Sequence, residues 1–376
     1  MTLTVRDPAY IIPSYSLTGD LLAYRRCGLQ YRYYNRGGLP PSRPVQQWFG
    51  EFIHGVMEEA YRQWQTLGSG PLPWPRQDVE AIEDDIVRRL AARGLRYRNR
   101  RLLAISKDRG EAAINGLGPH LFPLIAEAEL PLSAVRPMKP GGRADLYDVR
   151  GVVDVLTSIE LSSASPDNLI LQALEQDPAT AEILANGCRD PTYRFEVIVD
   201  YKGMARPAKV NTFLDDLRWQ ILTYSWLRAQ QPEALPVVAG VLIFINELLP
   251  TVDETSHLRQ QVLATPAETD VLPAGPDLDA LRRWRPRDGQ LLLSEAYRFQ
   301  RTLLVVPVTD ALVAQSLHEF DRTVHDIESS VSTEMSGGAI ATSWKANPVI
   351  QTCDVCDWRS FCPSTLSRFR GAPTAP

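Results

Sequence analysis

Apolar side chains recur at helical spacing in the first third of the chain. Phe49, Phe52 and Val56 lie three and four residues apart and form one stripe, which is the pattern of a helix that buries one face. A start signal at Ser16 and a second periodic segment from Val79 support further helices. We predict helices over residues 16–26, 48–65, 79–90 and, interrupted by Pro and Gly, 111–129.

The pattern then changes to short apolar runs that are typical of strands. Residues 143–149 and 151–157 are separated by Arg150 alone, which predicts a tight hairpin or one bent strand pair. Residues 249–287 are rich in Pro and polar side chains and predict a long irregular insertion. Further strands are predicted over 194–202, 237–246 and 303–308, and further helices over 166–187, 214–228 (amphipathic) and 310–331. This order predicts an α/β fold with a mixed central sheet flanked by helices.

The N-terminal segment lacks the basic and apolar regions of a signal peptide. The longest apolar run, residues 237–245, is too short to cross a bilayer. We therefore expect a cytoplasmic protein without a membrane partner. In that compartment cysteines stay reduced and are candidates for metal ligands rather than disulfides.

The net charge of −5 does not indicate nucleic-acid binding by the chain as a whole. Contact with phosphate needs only a local basic face. Three arginine-rich segments are candidates, although each alone is more often a solvated surface. They contain Arg25, Arg26, Arg32 and Arg36 among Tyr24, Tyr31, Tyr33 and Tyr34; Arg93, Arg96, Arg98, Arg100 and Arg101; and Arg282, Arg283, Arg285 and Arg287.

Four of the five cysteines form a candidate metal centre. Cys353, Cys356 and Cys362 are clustered in QTCDVCDWRSFCP, and Cys27 lies more than three hundred residues upstream. Four thiolates brought together from the two ends of the chain would close the fold around a metal. Cys188 is left over, and we expect it to be an inert residue.

A second candidate centre is built from carboxylates. Strand alternation places Asp200 and Lys202 on the same face of the strand predicted over 194–202. Burial of these charges side by side is costly unless they have partners or a function. With Asp154 from GVVDVL on a neighbouring strand, they would hold a hard divalent cation for phosphodiester hydrolysis. As a bare string, D-x-K also suits an exposed ion pair at a strand end.

Three more polar residues accompany these strings. His54 lies on the helix predicted over 48–65. Gln220 and Tyr224 are four residues apart and therefore share one face of a helix. Taken singly, each is an ordinary core or surface residue.

Together, these strings resemble the RecB-like branch of the PD-(D/E)XK nucleases. The motifs occur in the order of that family: GxxxH at 50–54, GxxD at 151–154, DxK at 200–202 and QxxxY at 220–224. Cys27 before the first motif and C-x2-C-x5-C after the last resemble the iron–sulfur subset of the branch. That subset includes the CRISPR-adaptation exonucleases and AddB-type nuclease domains. The resemblance spans residues 27–362.

The resemblance implies a PD-(D/E)XK core and a helical iron–sulfur lobe formed from both termini. The implied metal ligands for Mg²⁺ or Mn²⁺ are His54, Asp154, Asp200 and, through its carbonyl, Tyr201; the implied catalytic residues are Asp154, Asp200, Lys202, Gln220 and Tyr224. Lys202 would serve the attacking water and the transition state. Because close carboxylates need a cation to remain ionised together, metal binding should weaken at acid pH.

The chain departs from the family in two places. About 45 residues separate Asp154 from Asp200, so the helical segment 166–187 must be an insertion. Gly28 follows Cys27, where the family often has Pro.

Other acidic residues rival the aspartates of the motifs. Asp145 in GGRADLYD also follows a glycine-rich entry to a strand, although the context of Asp154 favours the latter. Glu160 and Glu196 are weaker rivals, and Glu196 is a candidate extra ligand.

The four cysteines suit a [4Fe–4S] cluster, which takes four thiolates. A Cys₄ zinc site is the alternative, although structural zinc is usually held by two closely spaced pairs. We expect a structural cluster that ties the N-terminal helix to the tail.

These inferences predict a metal-dependent DNA nuclease, an exonuclease on single-stranded DNA or DNA ends, in DNA repair, recombination or antiviral defence. A helicase or a defence-system protein is the expected partner, because the chain has no GxxxxGK[ST] loop. The alternatives are a catalytically silent nucleic-acid-binding subunit of such a complex and a zinc-clasped structural protein. The expected segments are the N-terminal part of the iron–sulfur lobe (1–47), a helical region (48–135), the nuclease core (136–248), an irregular insertion (249–300), a strand and helix completing the core (301–335) and the cysteine tail (336–376).

Overall fold

The structure, a computed structural model, describes residues 12–36, 45–68, 70–161, 165–187, 189–190, 193–209, 211–354, 356–362 and 364. Cys188 lies outside the described residues. The strands are β1 (Ser14–Ser16), β2 (Ile125–Pro137), β3 (Leu146–Thr157), β4 (Ile159–Glu160), β5 (Arg194–Lys202), β6 (Val237–Phe244) and β7 (Leu303–Pro307). The α-helices are α1 (Ala23–Arg26), α2 (Gly28–Tyr31), α3 (Val45–Thr66), α4 (Arg76–Ala92), α5 (Arg100–Leu121), α6 (Leu169–Gln176), α7 (Pro178–Gly187), α8 (Thr212–Ala229), α9 (Val252–Leu263), α10 (Gly275–Arg283), α11 (Glu295–Thr302), α12 (Asp310–Met335), α13 (Ile340–Ser343) and α14 (Ile350–Asp354).

The chain divides into two compact units. The first unit comprises Met1–Pro44, Pro131–Val152 and Asp310–Pro376, and the second comprises Val45–Leu130 and Val153–Thr309. Each unit is therefore assembled from segments that are distant in sequence.

The second unit contains a mixed sheet. The end of β3 runs antiparallel to β5, with Val155 opposite Val199. Strand β5 is parallel to β6, and β6 is antiparallel to β7, which places Val241 between Val199 and Val305. Helices α3, α4 and α5 contribute to one hydrophobic core with this sheet, and Phe52 on α3 is fully buried there. The mixed sheet and its helices are the α/β arrangement that the sequence predicts.

Helix α8 differs from its prediction. The sequence predicts an amphipathic helix, but all seven residues from Trp219 to Ser225 are buried. A helix that is buried on every side needs partners for its polar groups. Thr223, for example, donates to the carbonyl oxygen of Trp219 at 2.9 Å.

The first unit joins the beginning and the end of the chain. Tyr15 on β1 pairs in parallel with Val149 in the first half of β3. Ser16 accepts a hydrogen bond from the amide of Gly19 and begins a π-helical turn, Leu17–Leu22, that continues into α1. The helix predicted over 16–26 is thus present, in a wider first turn.

Helix α12 supplies acidic partners to the strands of the first unit. Arg136 donates to both carboxylate oxygens of Asp321, at 2.9 and 2.7 Å. Arg143 donates to Glu328 in the same bidentate way, at 2.8 and 2.7 Å. Paired geometry of this kind fixes the orientation of both side chains.

Two predictions of local structure are wrong. Arg150 is not a turn, because β3 continues through it from Leu146 to Thr157. The helix predicted over 111–129 is α5, which begins at Arg100 and ends at Leu121. Residues 125–137 instead form β2, which pairs with β3. Helix α5 accommodates Pro119 near its end and is followed by a 3₁₀ turn, Phe122–Leu124, that contains Pro123 and leads directly into β2.

The insertion predicted to be irregular contains helices α9, α10 and α11. Thr251 and Glu254 form a reciprocal capping box that starts α9. Pro276 lies in the first turn of α10, where its missing N–H is not needed. The prolines therefore mark helix starts rather than disorder, and the helices share a small apolar cluster around Leu281.

Within the described ranges, no helix combines the length and the apolar character that a membrane span requires.

Candidate active site

Asp154 and Asp200 come together because of the register between β3 and β5. Val155 lies opposite Val199 and Leu156 opposite Ile198, so the next antiparallel step brings Asp154 opposite Asp200. Residues opposite each other on antiparallel strands have Cβ atoms about 4.5–5.5 Å apart. Like charges at such positions are destabilising unless a cation separates them.

His54 joins the two aspartates from helix α3. One ligand atom from each of His54, Asp154 and Asp200 lies within 4.8 Å of the others. The Nδ1 atom of His54 is 3.4 Å from Oδ2 of Asp154, and its Nε2 atom is 3.0 Å from the carbonyl oxygen of Tyr201. The amide of Tyr201 donates to Oδ2 of Asp154 at 2.9 Å, so backbone and side chains fix one another.

A glycine after β5 lets α3 approach the end of the strand. A Cβ atom on Gly203 would lie 3.0 Å from Cδ1 of Phe49 and 3.3 Å from Cα of Gly50. Both separations are tighter than most contacts of a real side chain. Gly203 therefore permits the close approach that brings His54, one turn beyond Gly50, to the aspartates.

Lys202, Gln220 and Tyr224 form a chain of contacts that leads away from Asp200. The Nζ atom of Lys202 is 2.6 Å from Oδ2 of Asp200 and donates to Oε1 of Gln220 at 3.1 Å. Gln220 in turn donates from Nε2 to the hydroxyl of Tyr224 at 3.3 Å. The structure thus brings together the side chains of all six motif residues, His54, Asp154, Asp200, Lys202, Gln220 and Tyr224.

The electrostatics of the cluster differ between the two carboxyl groups. Burial, opposed by Lys202 and helped by the charge of Asp154, raises the pKa of Asp200 to about 7. Burial alone would also raise the pKa of Asp154, but His54 outweighs it and lowers that pKa below its usual value. Burial would lower the pKa of His54, yet the two carboxylates raise it to about 9. Asp200 therefore retains its proton to near-neutral pH, and a cation bound at the cluster would compete with that proton.

The donor set fits a hard divalent cation. Oδ2 of Asp200 is buried and has no hydrogen-bond partner among the described residues, because its contact with Lys202 is an ion pair without hydrogen-bond geometry. A buried carboxylate oxygen in this state lacks part of the solvation that it had in water. Carboxylate and carbonyl oxygens with one imidazole suit Mg²⁺ or Mn²⁺.

The rival acidic residues lie elsewhere. Asp145 is exposed in the loop before β3, in the first unit. Glu160 is exposed at the end of β4. Glu196 is buried at the start of β5, about 13 Å along the strand from Asp200, and Arg228 holds both of its carboxylate oxygens at 2.7 Å. Glu196 is thus a structural ion-pair partner and not the extra ligand that the sequence suggested.

Glu129 faces the cluster and was missed by sequence reasoning, which placed it in a helix. It lies on β2 with a φ of 53°, a backbone conformation that is strained for a glutamate. Burial and the charge of Asp154 raise its pKa. The alternation of polar and apolar residues over 125–132 was the available signal for this strand.

The four cysteines meet in the first unit. Cys27, Cys353, Cys356 and Cys362 all line one pocket. Burial and the neighbouring sulfur atoms raise the pKa of Cys353. The amide of Asn347 donates to Sγ of Cys27 at 3.4 Å, and the amide of Leu29 donates to the carbonyl oxygen of Lys345 at 3.1 Å. Backbone contacts therefore connect the two cysteine segments directly.

Gly28, which stands where proline is frequent in the family, lies in the same contact. A Cβ atom at this position would lie 3.0 Å from the carbonyl oxygen of Lys345 and 3.0 Å from the ring of Tyr24. The small residue leaves room for the tail to approach.

Comparison with known families identifies the chain. A sequence model of the PD-(D/E)XK nuclease superfamily matches residues 19–161 and 194–363, and the chain belongs to this superfamily. The mixed sheet of the second unit, with an aspartate from each of two adjacent strands and a lysine two residues after the second, fits that class of phosphodiester hydrolases. The interval between the matched ranges contains α6 and α7, the helices inserted between Asp154 and Asp200. A comparison with curated proteins gives no match.

Proposed function

We propose that this protein is a metal-dependent deoxyribonuclease of the RecB-like type, an exonuclease that acts on single-stranded DNA or DNA ends. The observation that carries the proposal is the convergence of His54, Asp154 and Asp200 within 4.8 Å, with the ammonium group of Lys202 2.6 Å from Asp200. Membership of a superfamily of nucleases supports the reaction class.

The groups that would hold the cation are the carboxylates of Asp154 and Asp200, the imidazole of His54 and the carbonyl oxygen of Tyr201. When bound, Mg²⁺ or Mn²⁺ supplies a hydroxide-like water and neutralises charge on the phosphate. The protein contributes the placement of these four groups, which the strand register and the approach of α3 fix before any cation binds.

Lys202 orients the attacking water and stabilises the negative charge that develops on phosphorus oxygens. Gln220 accepts a hydrogen bond from its Nζ atom at 3.1 Å. Tyr224 then holds the amide of Gln220 at 3.3 Å. Gln220 and Tyr224 are therefore positioning residues that keep the lysine beside Asp200.

The cysteine pocket of the first unit holds a [4Fe–4S] cluster in this proposal. A single zinc ion binds thiolates at about 2.3 Å, which requires sulfur atoms about 4 Å apart. Among the described residues, the one group of three or more ligands within 4.8 Å is the histidine–aspartate cluster, so the cysteine sulfurs stand further apart than zinc requires. A cluster binds each thiolate through a different iron and suits this wider spacing.

The cluster is structural. Its four ligands come from two segments that already share backbone contacts near Cys27, and binding would lock these segments together. The enzyme works in DNA repair, recombination or antiviral defence. Its partner is a helicase or a defence-system protein, because the chain has no phosphate-binding loop of the GxxxxGK[ST] type with which to hydrolyse ATP itself.

A cleavage assay tests the proposal. End-labelled single- and double-stranded DNA is incubated with Mn²⁺, Mg²⁺ or EDTA and with wild type, Asp200→Ala or Asp108→Ala. Asp108 is an exposed aspartate on α5 and serves as the matched control. We expect metal-dependent shortening by wild type and Asp108→Ala and none by Asp200→Ala. Equal cutting by wild type and Asp200→Ala would show that the active site is assigned wrongly, and binding without cutting by any variant would favour a silent subunit.

A further inference from the structure

A groove of about 780 Å³ lies in the second unit beside the end of β5. Its walls come from the first turn of α3, the start of α5, Gly203 and the start of α9. Its aromatic and arginine side chains are Trp48, Phe49, Tyr97, Arg98, Arg101 and Arg109.

The groove and the candidate active site are built on the same two elements, the end of β5 and helix α3. Gly203 in its wall directly follows Lys202. Phe49 precedes His54 by five residues on α3, which is about 7 Å along the helix axis.

Two of the three open charges of the groove, Arg98, Arg101 and Asp253, are positive. Arg98 and Arg101 are exposed, and no ion pair or hydrogen bond of either side chain occurs within the described part of the chain. Arg109 is ion-paired with Glu254, so these two charges cancel. Asp253 contributes one negative charge at the far wall. Asn99 caps α5 by accepting from the amide of Leu102 at 2.9 Å, so the positive end of a 22-residue helix also faces this region.

The groove also offers aromatic surface and a buried donor. Tyr97 is half-buried and contacts Trp48 edge to face, with ring centroids 5.7 Å apart. Trp48 is only 3 % exposed, and its Nε1 atom has no hydrogen-bond partner among the described residues. Indole Nε1–H is a donor only, so it lacks an acceptor here. The partly open ring of Tyr97, and not the buried Nε1 atom of Trp48, is the surface that a ligand in the groove can contact.

We propose that this groove binds the single-stranded segment of nucleic acid that leads into the active site. Arg98 and Arg101 contact its phosphates, and Tyr97 stacks with an unpaired base. A basic path lined by aromatic rings is the arrangement by which proteins bind single strands with little sequence preference. A duplex keeps its bases stacked on each other and would leave Tyr97 unused. The inference rests on the proposed nuclease function, since it names the substrate form that this site accepts.

Binding measurements with a catalytically inactive protein test the groove apart from catalysis. The Asp200→Ala protein is titrated with fluorescein-labelled single-stranded DNA, single-stranded RNA or duplex DNA of 20 nucleotides, and fluorescence anisotropy is followed at several salt concentrations. In the same background, Arg98→Ala/Arg101→Ala is compared with Arg282→Ala/Arg283→Ala. The second pair carries the same charge change on exposed arginines of α10, away from the groove.

We expect the groove variant to bind single strands at least 10-fold more weakly and the α10 variant to bind like the parent. Each phosphate contact with a single strand contributes about 0.7 to the slope of log K against log salt, so the groove variant should lose about 1.4. The RNA arm shows whether the sugar matters, since the phosphates are common to both.

Equal binding by the groove variant and its parent would overturn the inference, as would tighter binding of duplex that does not depend on the two arginines. These outcomes leave the hydrolytic site untouched. If wild type cuts nothing with Mn²⁺ while the arginine dependence holds, the nuclease proposal fails and the groove remains.

Discussion

Asp154 and Asp200 stand opposite each other on two antiparallel strands, and their carboxylate oxygens lie within the same 4.8 Å group as a nitrogen of His54. The arrangement opposes stability, because both carboxylates are drawn from solvent and repel each other. Lys202 at Oδ2 of Asp200 and His54 at 3.4 Å from Oδ2 of Asp154 offset part of this cost. A divalent cation between the two carboxylates would relieve the rest.

Replacement of Asp200 should stabilise the protein when metal is chelated. The pKa of Asp200 is raised to about 7, chiefly by burial, so folding favours its protonated form. The protonated carboxyl group of Asp200 thus contributes fully to stability below about pH 4, which is near its pKa in the unfolded chain. This contribution is lost as the pH rises through 7. Asp200→Asn keeps the neutral shape, and in EDTA at pH 8 we expect its melting temperature to exceed that of wild type by about 2–5 °C.

The difference in melting temperature between Asp200→Asn and wild type should shrink as the pH falls to 5, because wild-type Asp200 is itself protonated there. Differential scanning calorimetry over this pH range measures both values. A melting temperature in EDTA that is lower for Asp200→Asn at every pH would contradict the repulsion that we infer. Asp108→Asn, on the exposed face of α5, serves as the control.

Lys202 should affect catalysis more than metal binding. Its Nζ atom contacts Asp200 and Gln220 and is held by them at the edge of the cluster. Lys202→Met removes the charge near the phosphate, and we expect kcat to fall about 10²–10³-fold while Mn²⁺ still binds. Single-turnover cleavage and Mn²⁺ titration of the same preparation separate the two effects.

Lys209→Met removes an exposed lysine of the same unit and should cleave like wild type. If Lys202→Met retained wild-type kcat, the lysine would have no role in the chemical step.

Loss of one cysteine of the pocket should remove the metal of the first unit and leave the second unit folded. We expect Cys353→Ser to lose iron and sulfide and to melt at a lower temperature, because the two terminal segments lose their common ligand set. Cys188→Ser changes the fifth cysteine, and this variant should retain both iron and sulfide. Iron and acid-labile sulfide are measured per chain, with zinc determined in parallel.

The Mn²⁺ affinity of Cys353→Ser reports on the other site, whose ligands lie in the second unit. Wild-type protein that carries one zinc and no iron would contradict the cluster, and full retention of iron by Cys353→Ser would contradict this ligand set.

The sequence predicted the elements whose own residues determine them. Phe49, Phe52 and Val56 mark α3 through their spacing, and the apolar run from Val237 marks β6. Prediction from sequence failed where the pairing of one strand with another decides the conformation. Arg150 lies in the middle of β3 because β1 and β2 flank that strand, a fact that no local pattern contains.

The site divides in the same way. The order of the sequence motifs identified the side chains that converge on Asp200. Distances such as the one between Lys202 and Gln220 depend on how α8 packs against the sheet, which the motifs do not contain. The arginine segments could not be ranked from sequence. Arg93 is ion-paired with Glu51 at 3.0 Å, whereas Arg98 and Arg101 have open charges in a groove, and only tertiary structure separates these cases.

The proposal requires that the two aspartates share one cation, and calorimetric titration of Mn²⁺ into wild type and Asp200→Asn at pH 7.5 measures this directly. Removal of one of the two carboxylates would take away both a ligand and the charge that attracts the ion. We expect wild type to bind Mn²⁺ at the cluster and Asp200→Asn to bind it at least 100-fold more weakly. Equal affinity in the two proteins would mean that Asp154 and Asp200 do not share a cation.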